Sequence, residues 1–281
     1  MSEKNVTFEF CDQMVKEFEE VVENPIKSKS SVYYTGVDLG TACVVVAVLD
    51  ENRKPVAGAY KYADVVRDGM VIDYIGAVQI VREMKKELEE KLDAELIYAA
   101  AAIPPGTDEL DGGAVKNVVQ AAGFEITAVL DESTAANEVL KMKNGAVVDI
   151  GGGTTGISIL KDGKVVYIAD EPTGGTHFSL VISGAYRKSF EEADLYKRNP
   201  ANHKELLPVL KPVVEKVASI ISQHIKDFDV EEISLVGGTC CLAGIEKIIE
   251  KQTGIFTHKP QNPMFVTPLG IALGCTQESI Y

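Results

Sequence analysis

The sequence predicts a mixed α/β architecture built from two related halves, and two observations carry that prediction. Short apolar runs rich in Val and Ile alternate with helical periodicities along residues 32–275, the pattern of strands layered with helices. One arrangement also occurs twice. Segment 37–60 reads Val-Asp-Leu-Gly-Thr, a strand, a polar turn at 51–54 and a second strand; segment 148–170 reads Val-Asp-Ile-Gly-Gly-Gly-Thr, a strand, a turn at 161–164 and a second strand. Self-similarity of this kind points to duplication. It puts Asp38 and Asp149 at matching points, with a natural boundary near Asn144-Gly145.

The elements follow in order. Phe8, Cys11, Val15, Phe18 and Val22 recur at steps of three and four, so 5–24 reads as an amphipathic helix ended by Asn24-Pro25, and 27–31 as a linker. That helix either docks on its own domain or is displayed for a partner, and the sequence does not choose. Strands are expected at 32–37, 43–49 and 55–60. Ile75, Val78, Val81, Met84, Leu88 and Leu92 mark a helix. A strand at 96–103 stops at Pro104-Pro105, a helix over 113–122 is closed by Gly123, and a strand follows at 125–130. The second half opens with strands at 146–150, 156–160 and 164–169. A long helix carries Leu207, Leu210, Val214, Val217, Ile221 and Ile225 on one face; a buried strand at 233–236 and a helix over 243–251 complete the set.

Composition narrows the partners. A net charge of −14 over 281 residues repels a phosphate backbone or an acidic leaflet, so neither nucleic acid nor membrane is expected. A small polyphosphate remains compatible, because backbone N–H groups and a metal ion can hold it. Five cysteines without C-x-x-C spacing suggest neither a zinc site nor a disulfide framework. The acidic N-terminus and the lack of any run near the about 18 apolar residues of a membrane span predict a cytoplasmic protein.

The chemistry concentrates at glycine turns. In each half a strand delivers an Asp, then Gly and Thr, then a strand running back. Such a turn exposes consecutive N–H groups to anionic oxygens, and a Cβ there would block their approach. Two turns facing one another would clamp a triphosphate, with Asp38 and Asp149 holding Mg²⁺ through its water shell. A third turn stands at Gly237-Gly238-Thr239. Residues 151–156 also satisfy G-x-G-x-x-G, with Asp170 and Glu171 further on. A dinucleotide site needs a helix directly after the glycines, whereas Ile157-Ser158-Ile159-Leu160 alternates with period two and reads as a hairpin. No P-loop signature is present.

These residues resemble the superfamily of actin, the sugar kinases and the ATPase domain of heat-shock chaperones. Its five signature segments match 37–41, 131–136, 148–155, 234–239 and 268–274, in the family's order. The resemblance implies a duplicated actin-like ATPase fold: two ribonuclease H-like halves with a nucleotide cleft between them. The expected division is an N-terminal helix and linker at 1–31, domain I at 32–145, domain II at 146–267 and a connecting helix at 268–281 returning to domain I. The chain is further similar to the chaperone-like J proteins of bacterial ethanolamine-utilisation systems, through 66–69 and 190–198.

The resemblance also implies roles. Asp38 and Asp149 would organise Mg²⁺ and its waters. Gly40, Thr41, Gly151, Gly152, Gly153, Thr154 and Thr155 would contact the phosphates of ATP, and Glu132 would position the attacking water in a weak ATPase. Gly174 and Gly175 belong to a glycine turn touching phosphate or ribose, in which His177 packs or hydrogen-bonds rather than acting as a base. Asp194 and Lys197 match the family's Glu-x-x-Lys helix at the ribose and adenine, and Gly237 and Gly238 would line the adenosine pocket. His203, His224 and His258 do not cluster, so no His metal site is expected. The implied activity is a slowly hydrolysing Mg-ATP switch whose closure acts on a protein client, an ethanolamine-utilisation enzyme or microcompartment component. A small-molecule kinase, an ATP-dependent filament and a scaffold using the 5–24 helix stand as alternatives, with oligomeric state open.

Overall fold

The computed structural model describes residues 3–27, 29–67, 70–104 and 109–278, with the side chains of 3–7 and 109–112 also outside the description. Ser28, Asp68, Gly69, Pro105 and Tyr281, named above within a linker, a motif, a strand end and the final segment, lie outside the described residues. The chain divides into two compact units, Met1–Lys141 with Phe265–Tyr281, and Met142–Met264.

Unit 1 opens with helix α1 (Glu3–Glu23), then strands β1 (Tyr34–Leu39), β2 (Cys43–Leu49) and β3 (Pro55–Tyr62) and a small ribbon of β4 (Val66–Arg67) and β5 (Met70–Val71). Helix α2 (Tyr74–Leu92), β6 (Tyr98–Ile103), α3 (Glu109–Ala121), β7 (Glu125–Asp131) and α4 (Glu132–Leu140) follow. The sheet order is β3-β2-β1-β6-β7; β1, β6 and β7 run parallel and the β1–β2–β3 meander is antiparallel. The apolar stripe of α2 (Val81, Met84, Leu88 and Leu92) and Val115, Val118 and Val119 of α3 bury one core with the sheet. Asp73 starts α2 by accepting from the Gly76 N–H at 2.9 Å, satisfying one orphan donor of the first turn.

Helix α1 spends its apolar face inside unit 1. Cys11, Met14, Val15, Phe18 and Val21 are buried. The Phe18 ring lies on Gly58 of β3, where a Cβ would collide with it, and stands edge-on to Phe265 with centroids 5.0 Å apart. Of the two readings of this helix, docking on its own domain is the observed one.

Unit 2 comprises β8 (Gly145–Ile150), β9 (Thr155–Lys161), β10 (Lys164–Glu171), helices α5 (Gly175–Tyr186), α6 (Phe190–Arg198) and α7 (His203–Ile225), then β11 (Glu232–Val236), α8 (Ile245–Thr253) and β12 (Phe256–His258). Helix α9 (Val266–Gly274) returns to unit 1. The unit 2 sheet runs β10-β9-β8-β11-β12, with β8–β9–β10 antiparallel and β8, β11 and β12 parallel. The duplication read from the sequence is thus a repeat of strand order and polarity. Phe178 and Ile182 of α5 and Leu206, Leu210, Val214, Val217 and Ile221 of α7 pack on β8, β9 and β11.

Some elements depart from their expected bounds. Strand β1 starts two residues later than expected. Helix α3 begins at Glu109, ahead of the expected start at 113, and so takes in Gly112 and Gly113; the cost of helical glycine, about 1 kcal/mol each, is outweighed by burying the helix's valines. The face of α7 centres on Leu206, with Leu207 only partly buried.

Candidate functional site

In unit 1 the parallel strands β1 and β7 deliver Asp38 and Asp131-Glu132 to the same, C-terminal end of the sheet, the end at which open α/β sheets bind ligands. Asp38 is half-buried and pairs with Val45. Gly40 and Thr41 form the turn, which closes so tightly that a Cβ on Gly40 would lie 2.9 Å from the Cys43 carbonyl. Glu132 is the first residue of α4, whose cap, Asp131, accepts from the Thr134 N–H at 2.8 Å and from its hydroxyl. A carboxylate there sits favourably at the helix's positive end. Behind this rim α9 presses on both neighbours through glycine: a Cβ on Gly36 would meet the Pro268 carbonyl at 2.5 Å, and one on Gly270 would strike the Ala135 carbonyl.

Unit 2 gathers more of the expected residues into one cluster. Strands β8 and β11 are parallel with Asp149 opposite Val236, so Asp149 and the Gly237 loop leave the same sheet end. Gly237 has φ +91°, and a Cβ on it would strike the Asp149 carboxylate and lie 2.7 Å from the Ile150 carbonyl. The turn at 151–154 is followed directly by antiparallel β9, with Ile150 opposite Thr155; the G-x-G-x-x-G run is therefore a hairpin, and the dinucleotide reading falls. The Gly151 carbonyl accepts from the Gly175 N–H at 2.9 Å and the Thr239 hydroxyl at 2.7 Å. The Gly152 carbonyl accepts from the Thr176 N–H at 2.8 Å and its hydroxyl at 2.9 Å. In a trans peptide N–H and C=O point in opposite directions, so the N–H groups of Gly152 and Gly153 are aimed away from α5. A Cβ on Gly174 would meet Gly153 and Thr154 backbone atoms at 2.7–2.9 Å. Thr155 turns inward, its buried hydroxyl donating to the Thr173 carbonyl at 2.5 Å.

Helix α6 joins this cluster from the side. Lys197 Nζ lies 2.8 Å from Asp194 Oδ1 and donates to the Gly175 carbonyl at 2.9 Å and the Ser179 hydroxyl at 2.8 Å; Ser179 donates to Asp194 at 2.9 Å, and Arg198 pairs with the same carboxylate. The pair is not a solvated surface contact, since the two side chains are 14% and 18% exposed. Burial pushes the Asp194 carboxyl up, but Lys197, Arg198 and Ser179 together hold it below the usual carboxylate value. Burial likewise lowers the Lys197 ammonium, against the pull of Asp194. The Cys240 thiol, fully buried, is pushed well above its ordinary value by burial first and then by the charge of Asp149, so it stays protonated. His177 accepts from the Gly174 N–H at 3.4 Å, a capping contact. Ser179 escaped the sequence reading because nothing in its spacing announces that α5 and α6 pack together.

Among the described residues no group of three or more His, Cys, Asp or Glu is placed to hold a metal ion. A lone carboxylate at each turn suits Mg²⁺ carried by phosphate oxygens and water, because that ion keeps its hydration shell.

The model of the type IV pilus assembly protein PilM family matches residues 115–265. The ethanolamine utilization protein EutJ of Salmonella typhimurium is 47% identical over 240 residues, covering 85% of this chain and 84% of that protein. The crystal structure of EutJ from Carboxydothermus hydrogenoformans superposes with a TM-score of 0.90 at 44% identity, covering 97% and 99% of the two chains. MreB5 of Spiroplasma citri, solved bound to AMPPNP, shares the fold at a TM-score of 0.70 and 17% identity, covering 87% and 96%. The identity and coverage shared with EutJ proteins, on an actin-like ATPase fold, show that this chain belongs to the EutJ family of ethanolamine utilization proteins.

Proposed function

We propose that the chain is a Mg-ATP-binding, slowly hydrolysing chaperone-like protein of ethanolamine utilisation, in which nucleotide-driven closure acts on a protein client. The carrying observation is the unit 2 cluster: two glycine carbonyls are tied back to α5 and Thr239, so the turn's N–H groups point outward beside Asp149. Outward-aimed consecutive N–H groups form an anion nest. Gly40, Thr41, Gly151, Gly152, Gly153 and Thr154 serve the phosphates. Asp38 and Asp149 hold water on Mg²⁺, Glu132 orients the attacking water, and Asp194 and Lys197 face the ribose. Hydrolysis proceeds by positioning and charge stabilisation. The client is an ethanolamine-utilisation enzyme or a microcompartment component.

The test is a thermal-unfolding scan with ATP, ADP, GTP and NAD, each with and without Mg²⁺. Ligand at 100 times Kd adds about 2.7 kcal/mol, and the expected result is stabilisation by Mg-ATP and Mg-ADP. Asp149→Ala removes that gain while leaving the unliganded melting temperature within a few degrees. Stabilisation by NAD alone, or by none of the four, overturns the reading.

A further inference from the structure

His203, the first residue of α7, sits where two parts of the nucleoside side of unit 2 meet. It is 5% exposed. One ring nitrogen, Nδ1, lies 3.2 Å from the Ala243 N–H and can only accept there; the other, Nε2, lies 3.0 Å from the Lys197 carbonyl and can only donate. Both bonds form together only in the neutral imidazole carrying its proton on Nε2. Lys197 holds the first turn of α5 through the Gly175 carbonyl. Ala243 follows the 3-10 turn Gly238–Cys241, whose Thr239 holds the Gly151 carbonyl. A single buried imidazole thus bolts the α6 carboxyl end to the Gly237–Ala243 segment.

We infer that His203 is a positioning residue that sets the spacing between α6 and the Gly237–Ala243 segment, and so governs how tightly the nucleoside part of a nucleotide is gripped. The inference rests on the nucleotide-binding reading above and deepens it. Protonation breaks the device, because an imidazolium presents N–H at Nδ1 to the Ala243 N–H and loses an acceptor in a buried place. The surroundings oppose that charge. Burial lowers the affinity of His203 for a proton, the Lys197 carbonyl partly restores it, and the Lys259 ammonium lowers it again. Lys259 donates to the Cys240 and Leu242 carbonyls at 2.9 and 2.8 Å and pairs with Glu246 of α8 at 3.5 Å; on the α6 side stand Asp194, Lys197 and Arg198, and on α7 itself Lys204 and Glu205. A histidine whose folded value is depressed contributes fully above its ordinary value of about 6.5 and loses that contribution as pH falls through the lower folded value. Gripping nucleoside compares two folded states, so the grip is flat from pH 8 down to the depressed folded value of His203, which lies below about 6.5, and falls only beneath that value.

The experiment measures dissociation constants of Mg-ATP and Mg-tripolyphosphate for the full chain from pH 8 to 5.5. Both ligands carry a titrating terminal phosphate, so the ratio of the two constants isolates the nucleoside. In the wild type the preference for ATP should fall about tenfold per pH unit once His203 is protonated. His203→Asn keeps an acceptor for Ala243 without a titrating ring; it should hold an intermediate preference that is flat with pH. A wild-type preference independent of pH, or a His203→Asn profile that still falls with acid, overturns the inference. If His203→Asn does not fold, the wild-type ratio alone decides. Failure of the wild type to bind ATP at pH 7.5 sinks the functional reading itself, and so separates the two.

Discussion

The outer strands β3 and β10 occupy the same place in the two duplicated sheets and meet opposite fates. Asp38 pairs with Val45 and Asp149 with Gly156; two residues further on, Ala47 pairs with Gly58 and Ser158 with Ile168. Gly58 and Ile168 are therefore equivalent. The first has no side chain, and the Phe18 ring of α1 fills its place. The second keeps its own bulk and stays 39% exposed, beside Val166 at 51%. Ladder and register are common property of the duplication, while the cover on the edge strand depends on one residue and on a helix present in unit 1. The glycine turns divide in the same way. Unit 1 closes its turn with Gly40 alone against Cys43, whereas unit 2 uses three glycines anchored by α5 and Thr239.

The largest effect should come from Gly270→Ala. Its Cβ would enter the Ala135 carbonyl, and because that Cβ is fixed to the α9 backbone and the carbonyl belongs to the α4 backbone, α4 and α9 would have to separate. A loss above about 4 kcal/mol, or no soluble folded protein, is expected in denaturant titrations. Gly184→Ala, on α5 with open space at its Cβ, should be neutral or stabilising by about 0.5–1 kcal/mol. Equal behaviour of the two variants would mean that the α4–α9 crossing yields easily.

Next in size is the edge-strand pair. Phe18 is fully buried, so Phe18→Ala should cost about 3–5 kcal/mol through lost transfer energy and a cavity over Gly58. Ile168→Ala removes a side chain that solvent already reaches and should stay within about 1 kcal/mol of the wild type. Urea midpoints at unchanged slope would measure both. A cost at Ile168 matching that at Phe18 would show that β10 is covered in solution.

Much of this is legible in the sequence. Short apolar runs rich in Val and Ile located the central strands, which are buried along nearly their whole length, and the repeated Val-Asp-x-Gly pattern located Asp38 and Asp149 in equivalent registers. Local signals failed where tertiary contacts decide. The start of α5 at Gly174-Gly175 reads as a turn because its capping comes from the distant carbonyls of Gly151 and Gly152. His203 carried no motif, because both its partners are backbone atoms, at Lys197 and Ala243, and backbone partners leave no trace in residue identity.

The smallest expected effect tests whether the Asp194 ion pair holds α5 to α6. Asp194 binds Lys197, Arg198 and Ser179 on the α5–α6 side of unit 2. Asp194→Asn should cost about 1–2 kcal/mol near neutral pH, the range of charge-assisted bonds discounted for partial exposure. The folded carboxyl titrates below its unfolded value of about 3.9. Its contribution is thus complete above that value and is lost as pH falls through the lower folded one. Stability curves of wild type and Asp194→Asn should run parallel from pH 8 to about 5 and converge only in stronger acid. Convergence already at pH 6 would mean that Lys197 and Arg198 do not hold the carboxylate, and the α5–α6 clasp would then rest on other contacts, among them the Lys197 bonds to Ser179 and Gly175 and the Tyr186–Tyr196 ring contact.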